Sequence, residues 1–314
     1  MATPEGNSTY VVSFILTPYG NIGLVKYLYF TLIFLWYFSI IVANTFLVVV
    51  VCVDKKLHEP MYLFLCSLLL SELFGSTTVY PCLLSNMLSD THEVTLTYCF
   101  LQIFCLYSAA SVEFCSLAAM AYDRYVSICH PLHYHVIMNN RRVCKIIALI
   151  WVCSFINFTV SFSFTVRLKF CGNIIDKVFC DHYLLTKLAC SVTTVNDIAD
   201  LLFAFFAIVL PLILIFYCYF KILTVCLRNF KDTKQKAIST CTPQIVSLVN
   251  LFLGCIFHFG DTRLEKTVTN VPEKLRIILS VYLLICQPIL SPIMYGFNLP
   301  KIRNACKGFV FYRK

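Results

Sequence analysis

Stretches of roughly 20 to 30 predominantly apolar residues recur along the chain, at 26–53, 60–88, 99–128, 143–166, 197–227, 237–259 and 274–297, and an α-helix needs about 20 such residues to cross a bilayer. Nothing else in the sequence constrains the fold so strongly. In lipid, only helices or closed barrels satisfy their own backbone polar groups, and these runs are far too long for barrel strands. The composition agrees. The 314 residues are 59% hydrophobic and 13% charged, whereas a soluble domain is about half apolar and a quarter charged. The expected fold is an all-α membrane protein, a seven-transmembrane helix bundle. It divides into a tail at 1–25, a helical domain at 26–297 and a short amphipathic helix within 298–314.

Charge placement sets the expected orientation. Sixteen of the twenty-five Lys and Arg residues fall on one side, including Lys55, Lys56, Arg141, Arg142, Lys301 and Arg303. Cytoplasmic loops carry the basic excess, so the N-terminus is expected outside and the C-terminus in the cytoplasm. The net charge of +9 is thereby explained without nucleic acid. Residues 1–25 lack the apolar core of a signal peptide, so the first spanning stretch is expected to act as its own insertion signal. Asn7-Ser8-Thr9 is then an outside glycosylation acceptor. The basic tail from Lys301 to Lys314 suits the anionic inner leaflet, and Cys306 within it is a candidate for acylation.

Polar residues inside apolar runs are the candidates for function. Glu72 and Glu113 belong at similar depth near the midplane, where two carboxylates share a proton, bind a cation, or only pack protonated against each other. Asn44 in the first stretch calls for an interhelical hydrogen bond and is grouped with the two acids as a candidate ion or proton site. Asp123 and Arg124 put a charged pair where the third stretch ends, just before Pro131. Most of the 18 cysteines lie in apolar runs as small buried hydrophobes. Cys99, Cys171, Cys180 and Cys190 lie together on the expected outer side, and four cysteines allow three pairings.

The run Met120-Ala121-Tyr122-Asp123-Arg124-Tyr125-Val126-Ser127-Ile128-Cys129-His130-Pro131-Leu132-His133-Tyr134 resembles the signature of vertebrate olfactory receptors, a family of rhodopsin-like G-protein-coupled receptors. Leu57-His58-Glu59-Pro60-Met61-Tyr62, Lys236-Ala237-Ile238-Ser239-Thr240-Cys241 and Ser291-Pro292-Ile293-Met294-Tyr295 resemble further motifs of that family. So does the cysteine-bearing loop at 167–196.

The resemblance implies an odorant-detecting receptor of the plasma membrane that binds a small molecule between its helices and activates a stimulatory G protein to raise cyclic AMP. It implies a switch built from Asp123, Arg124, Tyr125, Tyr217, Pro292 and Tyr295, and the disulfides Cys99–Cys180 and Cys171–Cys190. It also implies a sodium ion or water network at Glu72 and Glu113 in place of any organic cofactor. The sequence departs from the family pattern at Glu72, usually Asp, at Gln244, usually His, at Phe252, usually Tyr, and at Ser291, usually Asn.

Depth along the helices nominates Leu106, Tyr107, Ala110, Ser111, Phe252 and Phe259 as ligand-facing, with Arg263 above them. Leu106 and Tyr107 offer no anion, which disfavours a simple amine. Arg263 is either a solvated side chain or, as the resemblance to relatives that bind short acids implies, the holder of a carboxylate, which its fork suits; the second reading makes an acidic or amino-acid-like odorant the expected class. Two alternatives are a rhodopsin-like receptor for a metabolite and an ion-coupled transporter using Glu72 and Glu113; inverted repeats, the usual transporter mark, do not stand out. No His-Glu-x-x-His, paired catalytic aspartates or Gly-x-Ser-x-Gly is present, so the chain is not expected to be an enzyme. His130, His133 and His135 fit a loop better than a metal site.

Overall fold

The computed structural model of the protein describes residues 12–19, 23–228, 231–264 and 273–311. Long helices follow one another: α1 (Val25–Val53), α2 (Pro60–Leu88), α3 (Leu96–Cys129) and α4 (Asn140–Thr165). Next, α5 runs through Thr194–Ala204, a π-helical turn at Phe205–Val209, and Leu210–Arg228. The last are α6 (Lys231–Leu264), α7 (Glu273–Asn298) and the short α8 (Pro300–Phe311).

Local chemistry sets the helix starts. Pro60 occupies the first turn of α2, where its missing N–H is no loss. Thr95 caps α3 by accepting from the Tyr98 amide, and Asn139 caps α4 by accepting from the Arg142 amide at 2.9 Å. These caps start α3 and α4 three residues earlier than hydropathy alone places them.

Among the described residues, five helices are long and apolar enough to cross a membrane, namely α1 to α5; α6 offers only the shorter apolar stretch Cys241–Phe257. Of the seven spans expected, these five meet the criterion of length and apolarity among the described residues. Lys231, Asp232, Lys234 and Lys236 open α6, and Glu273, Lys274 and Arg276 open α7, so both helices begin in charged sequence. The most apolar windows of α2 and α3 are 61% and 67% buried, against 22% in α1 and 17% in α4. Thus α2 and α3 form the centre, while α1, α4 and α5 turn Leu35, Phe38, Leu149, Ile156 and Leu201 outward. Such a broad apolar exterior suits lipid rather than water. At Gly75 an added Cβ would lie 3.3 Å from Ala109 Cβ, so a small residue there permits the close approach of α2 to α3.

At one end sits a small sheet of order β2-β1-β3. Strand β1 (Ser13–Leu16) pairs antiparallel with β2 (Glu93–Thr95) and parallel with β3 (Ile174–Ile175). The segment before α1 is therefore more than a tail. Phe14 and Leu16 are fully buried, and Phe14 lies edge-on to Phe170 with ring centroids 5.6 Å apart. Disulfides Cys99–Cys180 and Cys171–Cys190 tie the loop after α4 to α3 and to itself. At the opposite end α8 packs on α1 through Phe46 and Phe309, and Lys301 reaches Glu59 at 2.5 Å.

Candidate functional site

At the α8 end, Asp123 is fully buried and both its oxygens are engaged. Oδ2 accepts from Arg124, with Nε at 3.0 Å, and Oδ1 accepts from the Tyr134 hydroxyl at 2.9 Å. Burial and the neighbouring Asp123 charge raise the Tyr134 phenol above its ordinary value, so it remains a donor. Arg124 itself is only 14% exposed. Tyr125 meets His130 edge-on at 5.4 Å and lies 6.1 Å from Tyr217. Tyr217 is half-exposed, and two residues on Tyr219, which is partly buried, donates to Gln244 of α6 at 2.8 Å. Sequence reasoning passes over Tyr134 and Tyr219, although the Asp123–Arg124 motif contains Tyr134 and the departure at Gln244 is a signal.

Midway along the bundle, Glu72 accepts from Ser291 at 2.5 Å through Oε1, while its buried Oε2 has no partner among the described residues. Glu113 stands close enough for the two carboxylates to interact electrostatically. Asn44 also has a buried amide oxygen, Oδ1, with no partner among the described residues, and its nitrogen is engaged. Its amide donates to the Ile40 carbonyl at 2.9 Å and to the Pro288 carbonyl at 2.6 Å.

The reason lies in α7. Pro292 has no N–H to offer the carbonyl four residues earlier, which is that of Pro288. Pro288 likewise frees the Leu284 carbonyl, and Tyr80 donates to it at 3.2 Å. Two prolines thus expose two carbonyls, and α1 and α2 each supply a donor. Tyr295, three residues beyond Pro292, is fully buried.

At the disulfide end, Tyr107 stacks on Phe158 at 5.4 Å and faces the edge of His182 at 5.7 Å. His182 Nε2 lies 3.0 Å from Thr165 Oγ1, and Nδ1 lies 3.4 Å from Asp200 Oδ2. Asp200 also accepts from Ser161 at 2.6 Å. Burial lowers the His182 imidazole below its ordinary value, against the opposing pull of Asp200 and Asp181. The loop is fastened elsewhere by a buried Lys177–Asp181 pair at 3.3 Å and by the Cys180 amide, which donates to Gln102 at 2.8 Å.

Among the other nominated ligand residues, Ser111 donates to Ser154 of α4 at 3.0 Å, which places it in the α3–α4 seam. Leu106 and Ala110 are half-buried, and Leu106 packs in the cluster beneath the loop. Phe252 is 48% exposed, whereas its neighbour Leu251 is fully buried. Asn7 and the side chains of Phe259 and Arg263 lie outside the described residues. No group of three His, Cys, Asp or Glu side chains suited to a metal ion occurs among the described residues.

The chain is similar to known proteins over most of its length. A family model described as "Olfactory receptor" matches residues 32–313. The human olfactory receptor 6N1 is 33% identical over 304 residues, covering 96% of each chain. The human olfactory receptor 5AC2 is 32% identical over 312 residues, 99% of each chain. The mouse olfactory receptor 1E16 is 32% identical over 314 residues, 99% of this chain and 98% of its own. Receptors of this kind are G-protein-coupled and are not enzymes. With its apolar helices, its two disulfides and a match over nearly its whole length, the chain belongs to the olfactory receptor family.

Proposed function

We propose that the protein crosses the plasma membrane seven times, binds a small odorant between its helices and activates a stimulatory G protein to raise cyclic AMP. The observation that carries this reading is the Asp123–Arg124 pair with Tyr134 on the second carboxylate oxygen. A charged group held by a neighbouring residue and one loop tyrosine at the end of an apolar bundle is suited to a switch between two arrangements. An agonist biases that switch by binding one arrangement better. When α6 moves away, Arg124 leaves Asp123 and the cleft admits a G-protein tail. Membership in the olfactory receptor family supports the same reading.

The basic excess on the Arg124 side supports an N-terminus outside and a C-terminus in the cytoplasm. The odorant would then enter from the disulfide end, beneath the loop that seats His182 on Tyr107. An acidic or amino-acid-like odorant follows from Arg263, which would pair with its carboxylate. Glu72 and Glu113 with Ser291 form an oxygen donor set that fits a sodium ion, which would supply the partner that Glu72 Oε2 lacks.

The test is cyclic AMP in cells expressing the chain with an olfactory-type G protein, across small acids, amino acids and neutral volatiles. A ligand-dependent rise that disappears in Arg124→Ala supports the proposal. No rise from a receptor shown to be at the cell surface, with a broad panel and a fused G-protein subunit as control, counts against it. Acid potency unchanged in Arg263→Ala would remove the acid-binding role.

A further inference from the structure

Between α6 and α7 runs a ladder of four side chains that the switch described above does not use. The Tyr282 hydroxyl donates to Asn250 Oδ1 at 2.7 Å. Asn250 Nδ2 donates to Gln287 Oε1 at 2.6 Å, and Gln287 Nε2 donates to Ser247 Oγ at 3.1 Å. Ser247 and Gln287 are almost completely buried, and Asn250 is only 7% exposed. Both amides have their oxygen and nitrogen engaged, so the ladder is satisfied only while α6 and α7 keep this register.

Placement makes the ladder more than packing. Ser247 and Asn250 are three apart on α6 and share one face. On α7, Gln287 immediately precedes Pro288, whose carbonyl is held by Asn44. The ladder therefore grips α6 from the part of α7 already fixed to α1 and α2. Buried amides cannot exchange their partners for water in an apolar interior, so an opened ladder leaves unsatisfied polar atoms behind. Tyr219 and Gln244 make a second tie to α6, from α5.

We infer that Asn250 and Gln287 are positioning residues that hold α6 against α7 in the resting arrangement and thereby set the receptor's basal activity. The inference rests on the proposed movement of α6 during signalling. A purely structural pair would lower the amount of folded receptor when removed, and each surviving molecule would signal as before. A restraint acts in the other direction, because its loss moves surviving molecules toward the active arrangement.

The experiment compares the wild type with Asn250→Leu, Gln287→Leu, the double leucine variant and the exchanged pair Asn250→Gln with Gln287→Asn. Basal cyclic AMP is divided by surface receptor, with Arg124→Ala as the coupling control. Either leucine variant is expected to raise the normalised basal signal about fivefold, the lower end of ordinary coupling between sites. The double variant should add little to that, and the exchanged pair should return toward the wild type. A second readout does not depend on the G protein. Cys241 of α6 is buried, and its alkylation by maleimide in solubilised receptor, followed by peptide mapping, should be faster in the leucine variants. Unchanged normalised basal signal with unchanged Cys241 alkylation overturns the inference. Faster alkylation without any cyclic AMP in any variant upholds the restraint and counts instead against stimulatory coupling.

Discussion

Asn44 donates to the Pro288 carbonyl at 2.6 Å, and that carbonyl is available because Pro292 has no N–H to give it. An isolated amide in the first helix thereby repairs a defect in the last. Asn44→Leu should lower the stability of the solubilised receptor by about 1–2 kcal/mol, the upper range for interhelical hydrogen bonds in membranes. Tyr80→Phe, which removes the longer 3.2 Å bond to Leu284, should lower it by less. Thermal melting followed by size-exclusion fluorescence would measure both. Equal melting of Asn44→Leu and the wild type would mean the bond contributes nothing.

Tyr134 holds one oxygen of a fully buried carboxylate whose other oxygen holds Arg124. Removing a partner from a buried charged acceptor costs about 1–3 kcal/mol. In Tyr134→Phe that loss falls on the resting pair. Basal cyclic AMP per surface receptor is expected to rise severalfold, and Tyr134→Trp, which cannot place a hydroxyl there, should behave alike. A fall in basal signal with normal surface level would contradict this.

His182 should make the seating of its loop depend on pH. Its seated value lies below the ordinary 6.5, so as pH falls below that the released loop binds a proton more readily than the seated one. Linkage then removes stability as pH falls from about 6.5 through the lowered value, and leaves it flat above about pH 7. Hydrogen exchange of the segment around Asp181 and Leu184 should accelerate on acidification in the wild type and change much less in His182→Gln. A profile that is the same in both proteins would assign the effect elsewhere.

Strand β1 contributes Phe14 to a buried cluster containing Phe170 and the Cys99–Cys180 bridge. A buried Phe→Ala change usually costs about 3–5 kcal/mol. Phe14→Ala should therefore sharply reduce surface expression, while Val12→Ala, at an exposed position, should leave it unchanged. Antibody staining of unpermeabilised cells would separate the two.

The long helices were legible because apolar run length is a local property, and α2 appears with the predicted bounds Pro60–Leu88. The Asp123–Arg124 pair was legible because a charge at the end of an apolar run is costly unless it marks an interface or serves a purpose. Strand β1 was not, since four residues of Ser13–Leu16 carry no usable period and become a strand only through partners about 80 and more residues away. The partner of Asn44 was equally hidden. Sequence showed that an amide in lipid needs a hydrogen bond, and it showed prolines in α7, but only the packing of α1 on α7 joins the two. Tyr219 was passed over for Tyr217 because resemblance pointed to one tyrosine and the rotation of α5 turns the other toward Gln244 of α6.

That rotation has a mechanical meaning. The π-helical turn at Phe205–Val209 widens the helix by about one residue, which advances the phase of everything beyond it by roughly 100°. The two halves of α5 are thus clocked separately. Asp200 and Phe203 are aimed by the part that meets the disulfide-bearing loop, while Tyr219, Ile222 and Cys226 are aimed by the part that meets α3 and α6. A single insertion or deletion within the turn would act as a gear change, leaving the face toward the disulfide-bearing loop untouched while presenting a different set of side chains to α3 and α6.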